Sequence, residues 1–189
     1  MKERRSQVLI IEGAQGSGKT TAAEHLSKIG CKLVGGIPSG QELVVNREVE
    51  NWKQSIDILE LVINSSDGSI SVMDRSIWSL VAYNIRKKPD HRSLIYDLGK
   101  NMFERIMGGK TDYRIVFLES DPETSFSREY GRGTHFHRSV EEVSEEIQIY
   151  QWLMGKLERD GFNVVRIRNN GISTEEFLSL VEQSVGAAS

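Results

Sequence analysis

The segment Gly13-Ala14-Gln15-Gly16-Ser17-Gly18-Lys19-Thr20 fits the pattern G-x-x-x-x-G-K-[ST], and no other stretch constrains the fold as much. It follows the apolar run Val8-Leu9-Ile10-Ile11, which reads as a buried strand. It opens Lys19 to Ile29, which reads as a helix stopped by Gly30. A glycine-rich turn between a strand and a helix lets backbone N–H groups converge on an anion, and the helix adds the positive end of its dipole. Lys19 is expected to reach the β- and γ-phosphates of a nucleotide such as ATP, and the Thr20 hydroxyl to ligate Mg²⁺. Thr21 belongs to the same binding segment. Lys19 is expected to face solvent in the loop, so that its loss removes turnover and spares the fold.

The rest of the chain alternates short β-branched runs with longer amphipathic ones. Cys31 to Val34, Ile70 to Asp74, Arg114 to Leu118 and Val164 to Ile167 read as further strands. Glu42 to Asn64, Ile77 to Ile85, Arg92 to Met107, Glu123 to Arg128, Val140 to Arg159 and Thr174 to Val185 read as helices. Strands separated by helices pair in parallel through right-handed crossovers. The expectation is therefore an α/β fold of three layers, with a parallel sheet of about five strands flanked by helices. No repeat or linker divides the chain, so residues 1–189 read as one domain. In such a sheet ligands sit at the carboxyl ends of the strands.

Two groups at strand ends or in loops carry further chemistry. Asp74-Arg75-Ser76 follows the third strand. An acid there can hold Mg²⁺ or accept a proton from an attacking hydroxyl. An arginine there can clamp a phosphate with parallel hydrogen bonds. The competing reading makes Asp74 the N-cap of the next helix. The segment Arg128 to Arg138 places Arg128, Arg132 and Arg138 around Gly131 and Gly133. Arginine stabilises the charge that phosphoryl transfer spreads. The flanking glycines suit a lid, about 128–139, closing over the nucleotide with Arg132 acting on the transition state. His135 and His137 lack a third ligand nearby, and no metal site is read there.

Composition narrows the classes. The 189 residues carry a net charge of −3 with 38% hydrophobic and 27% charged content, the balance of a soluble globular protein rather than a polycation. The lone cysteine, Cys31, reads as a buried thiol in a reducing compartment. No run is long enough for a signal peptide or a membrane span, which implies a cytoplasmic protein without a membrane partner.

With these pieces placed, the chain resembles the thymidylate kinase and deoxynucleoside kinase superfamily. Ile11 to Thr21 is similar to that family's first strand and loop, including the Glu12-Gly13 pair, and Asp74-Arg75-Ser76 to its Asp/Glu-Arg-Ser/Tyr motif. Phe117-Leu118-Glu119-Ser120-Asp121-Pro122-Glu123 with Arg128, Arg132 and Arg138 resembles its fourth strand and arginine-bearing lid, and Phe162 to Ile167 its last strand. The resemblance implies an ATP- and Mg²⁺-dependent kinase of a nucleoside, a nucleotide or a modified pyrimidine hydroxyl. It also implies a homodimer as a common assembly. Lys19, Asp74, Arg75 and Arg132 are then the catalytic set. Gly13 to Thr21, Arg128 and Arg138 hold the nucleotide, and Thr20 and Asp74 hold the metal.

The acceptor separates the remaining readings. Thymidylate kinases carry an arginine after the second strand that grips a phosphate, and deoxynucleoside kinases a glutamate that acts as base. Here Val34 to Gly40 holds neither. A monophosphate brings about two negative charges, and Arg75, with Arg47, would have to hold it. A hydroxyl acceptor, with Asp74 as base, is therefore favoured over a monophosphate. A small-molecule kinase of another class, a kinase of a hydroxymethylated base in DNA, and a non-catalytic nucleotide switch stay open. Arg86 to Arg92 is the basic stretch that would follow DNA. No Asn-Lys-x-Asp is present for guanine. Trp52, Trp78 and Trp152 suit core packing, with Trp52 and Trp78 also candidates to line an acceptor pocket.

Overall fold

The computed structural model describes residues 7–34, 48–64, 69–108, 111–133, 137 and 139–186. Along the chain run β1 (Gln7–Glu12), α1 (Lys19–Lys28), β2 (Lys32–Val34), α2 (Glu48–Asn64), β3 (Ile70–Asp74) and α3 (Ile77–Lys87). A 3-10 turn (Pro89–His91) leads into α4 (Arg92–Met107), β4 (Asp112–Glu119), α5 (Pro122–Gly131), α6 (Val140–Arg159), β5 (Val164–Arg168) and α7 (Thr174–Gly186). The strands form one five-stranded parallel sheet in the order β2-β3-β1-β4-β5.

The central strand explains the layering. Side chains alternate across a strand, so Val8 and Ile10 enter one core and Leu9 and Ile11 the other. The first core packs α2, α3, α4 and α6 through Leu59, Trp78, Phe103, Tyr150 and Leu153. The second packs α1 and α7 through Ala22, Leu26, Phe177 and Val181. A run that is apolar at every position is thus buried on both faces, as parallel sheets require. Trp78 is wholly buried and packs against Tyr96, Phe103 and Phe162, so it is a core residue and not an acceptor-pocket wall. Trp52 is half-buried on α2, and Trp152 lies edge-on to Tyr96.

From β1 the chain winds to β2 and back to β3 on one side, then crosses to β4 and β5 on the other. That reversal opens a crevice at the carboxyl ends of these strands. Register puts Ile11 opposite Asp74 on one side and Val116 on the other, so β1 and β3 end together.

Among the described residues the largest boundary difference from the sequence expectation is at α5. The helix expected over Glu123 to Arg128 runs from Pro122 to Gly131. Asp121 caps it by accepting the Thr124 amide at 2.7 Å, Pro122 suits its first turn, and three more residues extend it. Arg128 therefore stands on a helix rather than in a lid loop, and Arg132 closes that helix. Residues 35–47, His135 and Arg138 lie outside the described residues, so the stretch Val34 to Gly40 beyond Val34 and the expected start of α2 at Glu42 are not placed. Cys31 is buried, and among the described residues no helix is long and apolar enough to cross a membrane.

Candidate functional site

The segment after β1 folds as a tight loop into α1. Gly18 is the N-cap of α1, with φ +98 and no side-chain cap, which leaves the helix's first amides facing the loop. Gly16 (φ +74) lies directly under the Ser125 carbonyl of α5, where any Cβ would collide. Asn169, just past β5, donates from Nδ2 to the Ser17 carbonyl at 2.8 Å and buttresses the loop from the other side. Arg128 reaches back from α5 to the Gly16 carbonyl at 3.4 Å and the Asn169 carbonyl at 3.5 Å.

Lys19 is 5% exposed, which corrects the expectation of a solvent-facing side chain. The loop curls over it, and its ammonium donates to the carbonyls of Gly13 at 2.8 Å and Ala14 at 2.6 Å. Burial, reinforced by the positive charge of Arg75, lowers its pKa to about 7. Thr20 is exposed, and its hydroxyl donates to Asp74 Oδ2 at 2.9 Å. Asp74 Oδ1 is buried and has no hydrogen-bond partner among the described residues. A hydroxyl paired with a carboxylate that keeps an unsatisfied oxygen is the donor set that Mg²⁺ takes from a protein. These two residues fit the cation. Thr21 follows, half-buried on α1.

Arg75 adopts φ +77, a left-handed conformation that non-glycine residues pay about 1–3 kcal/mol to hold. It is fixed there by its amide, which donates to the Ile11 carbonyl at 3.0 Å, and by Nη2, which donates to Gln15 Oε1 at 2.8 Å. The strain turns the guanidinium back to the loop. Asp74 does not cap α3; that place is taken by Ser76, whose hydroxyl accepts from the Trp78 amide. Asp74 is thereby left to face Thr20.

Glu12 supports this geometry; the sequence marks it only as part of the Glu12-Gly13 pair that carries the family resemblance, with no role of its own. It is fully buried. Its Oε1 accepts from the Ser76 amide and hydroxyl, each at 2.7 Å, and its Oε2 from Ser79 at 2.6 Å. Burial raises its pKa despite those bonds from Ser79 and Ser76. The sequence does not point to Glu129, Glu146 or Asn169, and it raises His137 only as a metal ligand. Asn169 had a signal, a polar residue at a strand's carboxyl end. The others look in sequence like ordinary surface charges. Arg132 is exposed, and its guanidinium has no partner among the described residues. In the basic stretch, Arg86 faces Glu142 at 3.8 Å and Arg92 lies over Trp152.

No protein-family model matches this chain, and no curated protein matches it in sequence. Solved structures do match in shape. The Bacillus subtilis YorR protein, in complex with phosphorylated GDP, aligns at 16% identity with a TM-score of 0.64, covering 96% of both chains. Deoxyadenosine kinase from M. mycoides with bound dCTP aligns at 17% identity and a TM-score of 0.59, covering 95% of this chain and 99% of the other. The same enzyme with dCMP and flexible dCDP aligns at 14% identity and a TM-score of 0.60, covering 96% of this chain and all of the other. The chain therefore has the P-loop fold found in deoxynucleoside kinases.

Proposed function

We propose that this protein is a P-loop kinase that transfers the γ-phosphoryl group of ATP to the hydroxyl of a nucleoside or a modified pyrimidine. The observation that carries this reading is the 2.9 Å bond between Thr20 and Asp74, which joins the loop after β1 to the acid at the end of β3. A static glycine turn has no need of such a link; a metal–phosphate site does.

The roles divide as follows. The loop amides from Gly13 to Thr20 and the ammonium of Lys19 hold the phosphates. Thr20 would hold Mg²⁺, which when bound neutralises charge on the phosphate oxygens; Asp74 would join it as a ligand where the acceptor is already a phosphate and needs no base. Arg75 orients the acceptor or the moving phosphoryl group, and Arg132 meets the charge that develops on it. Arg128 steadies the loop, and Arg138 is a further nucleotide contact. The acceptor oxygen bonds to the γ-phosphorus as the bond from that phosphorus to the β,γ-bridging oxygen breaks. ADP leaves, and the hydroxyl proton passes to Asp74.

Support comes from the strained Arg75 aimed at the loop, the orphaned Asp74 oxygen and the shared fold with a deoxynucleoside kinase. The test is transfer of labelled γ-phosphate from ATP·Mg²⁺ across nucleosides, monophosphates, hydroxymethylated pyrimidines, modified DNA and small polyols. Transfer to a nucleoside or hydroxymethylated pyrimidine is expected. Transfer confined to a free monophosphate would return the chain to the monophosphate kinases, and transfer to none would remove the kinase reading.

A further inference from the structure

Glu146 projects from α6 onto the loop, where its Oε2 accepts the Gln15 amide at 3.2 Å. The same oxygen lies 3.1 Å from His137 Nε2, and His137 Nδ1 lies 2.7 Å from Glu129 Oε2 on α5. Glu129 also accepts the His137 amide at 2.8 Å, and Arg86 Nη1 from α3 stands 3.3 Å from Nε2. The histidine and Glu129 side chains are 2% and 4% exposed, and that of Glu146 is 16% exposed. Each ring nitrogen has a carboxylate nearer to it than Arg86, so the imidazole is held as the imidazolium, and the Arg86 guanidinium, itself only a donor, stands beside it as a second cation. The three residues then carry one net negative charge against a loop built to receive anions.

The surroundings of Glu146 match what a phosphate oxygen requires. It has a loop amide as donor, and the positive charges of Lys19 and Arg75 act on it alongside that of His137. A single N–H cannot serve a carboxylate and a phosphate equally well. We propose that Glu146 is a tethered competitor for the phosphate cradle: it takes the Gln15 amide, yields it when a phosphate binds, and has its charge offset by His137 paired with Glu129. This rests on reading Gly13 to Thr20 as a phosphate cradle. Its consequence is selectivity. A resident carboxylate repels a bare polyanion more than one neutralised by Mg²⁺.

Calorimetric titration of the full chain with pyrophosphate, and separately with ATP·Mg²⁺, tests this. Glu146→Gln keeps the shape and the acceptor oxygen but removes the charge. It is expected to tighten pyrophosphate binding on the order of tenfold, with a smaller gain for ATP·Mg²⁺. His137→Gln removes the positive charge between the two carboxylates and is expected to loosen pyrophosphate binding. Adding Glu146→Gln to that variant should restore most of the loss. Unchanged or weaker pyrophosphate binding by Glu146→Gln would mean that the residue merely props the loop, and would overturn the proposal. Thermal unfolding reports whether each variant folds; if His137→Gln does not, the sign of the Glu146→Gln effect decides alone. Since binding is the readout, a wild type that binds phosphate but transfers none overturns the kinase reading and leaves this one standing. Pyrophosphate binding to neither wild type nor Glu146→Gln overturns both.

Discussion

Gly16 shows how much one backbone position carries. Its φ of +74 is costly for any other residue, and its α-carbon lies against the Ser125 carbonyl of α5. Gly16→Ala should cost about 2 kcal/mol or more, a fall of roughly 4–8 °C in Tm for a chain of this size. Differential scanning calorimetry checks this; an unchanged midpoint would mean that α5 shifts freely. Asp74 belongs at the same scale. Asp74→Asn keeps the shape but loses the base that a hydroxyl acceptor needs. Turnover should fall to background while ATP still binds, as read by phosphoryl transfer beside equilibrium binding. Efficient turnover by this variant would place the base elsewhere.

At the scale of elements, α5 and α6 carry Arg132 and the partners of His137. Arg132 ends α5 and is exposed. Arg132→Ala should lower kcat by on the order of 10³-fold and change ATP affinity far less. A change confined to the KM for ATP would make Arg132 a ground-state contact. His137 ties the two helices. Burial opposes its charge, but hydrogen bonds to Glu146 and Glu129 outweigh that and raise its pKa above the ordinary value. A raised pKa stabilises the fold fully below about pH 6.5, the unfolded value, and the contribution is lost as pH rises through the folded value. The stability gap between wild type and His137→Gln should therefore be widest below about pH 6.5 and narrow as the pH rises above it. Urea unfolding across that range measures it, and a gap that widens with pH would exclude the imidazolium.

For the molecule as a whole, binding of ATP·Mg²⁺ should stabilise the fold by mass action, by about 2.7 kcal/mol at a hundredfold excess over Kd, and so raise Tm. Lys19→Met should abolish that shift, and a shift of wild-type size would remove Lys19 from the phosphate site. By itself the sequence determined the layered parallel sheet, because an all-apolar β1 must be covered on both faces and crossovers between parallel strands need helices. It also determined the cradle, because strand, glycine turn, lysine and threonine are contiguous and their backbone geometry is local. It located Asp74 and Arg75 by the same logic of strand ends. Only the tertiary structure decided which groups meet across the chain. Thr20 finds Asp74 54 residues away, and the Gln15 amide finds Glu146 131 residues away. Nothing local marks Glu146 among the acids of α6, since a helix face reads as charged whether it meets water or another residue. The burial of Lys19 was decided in the same way: the loop's curvature, set by Ser125 and Asn169 pressing on its glycines, closes over a side chain that the sequence alone leaves in solvent.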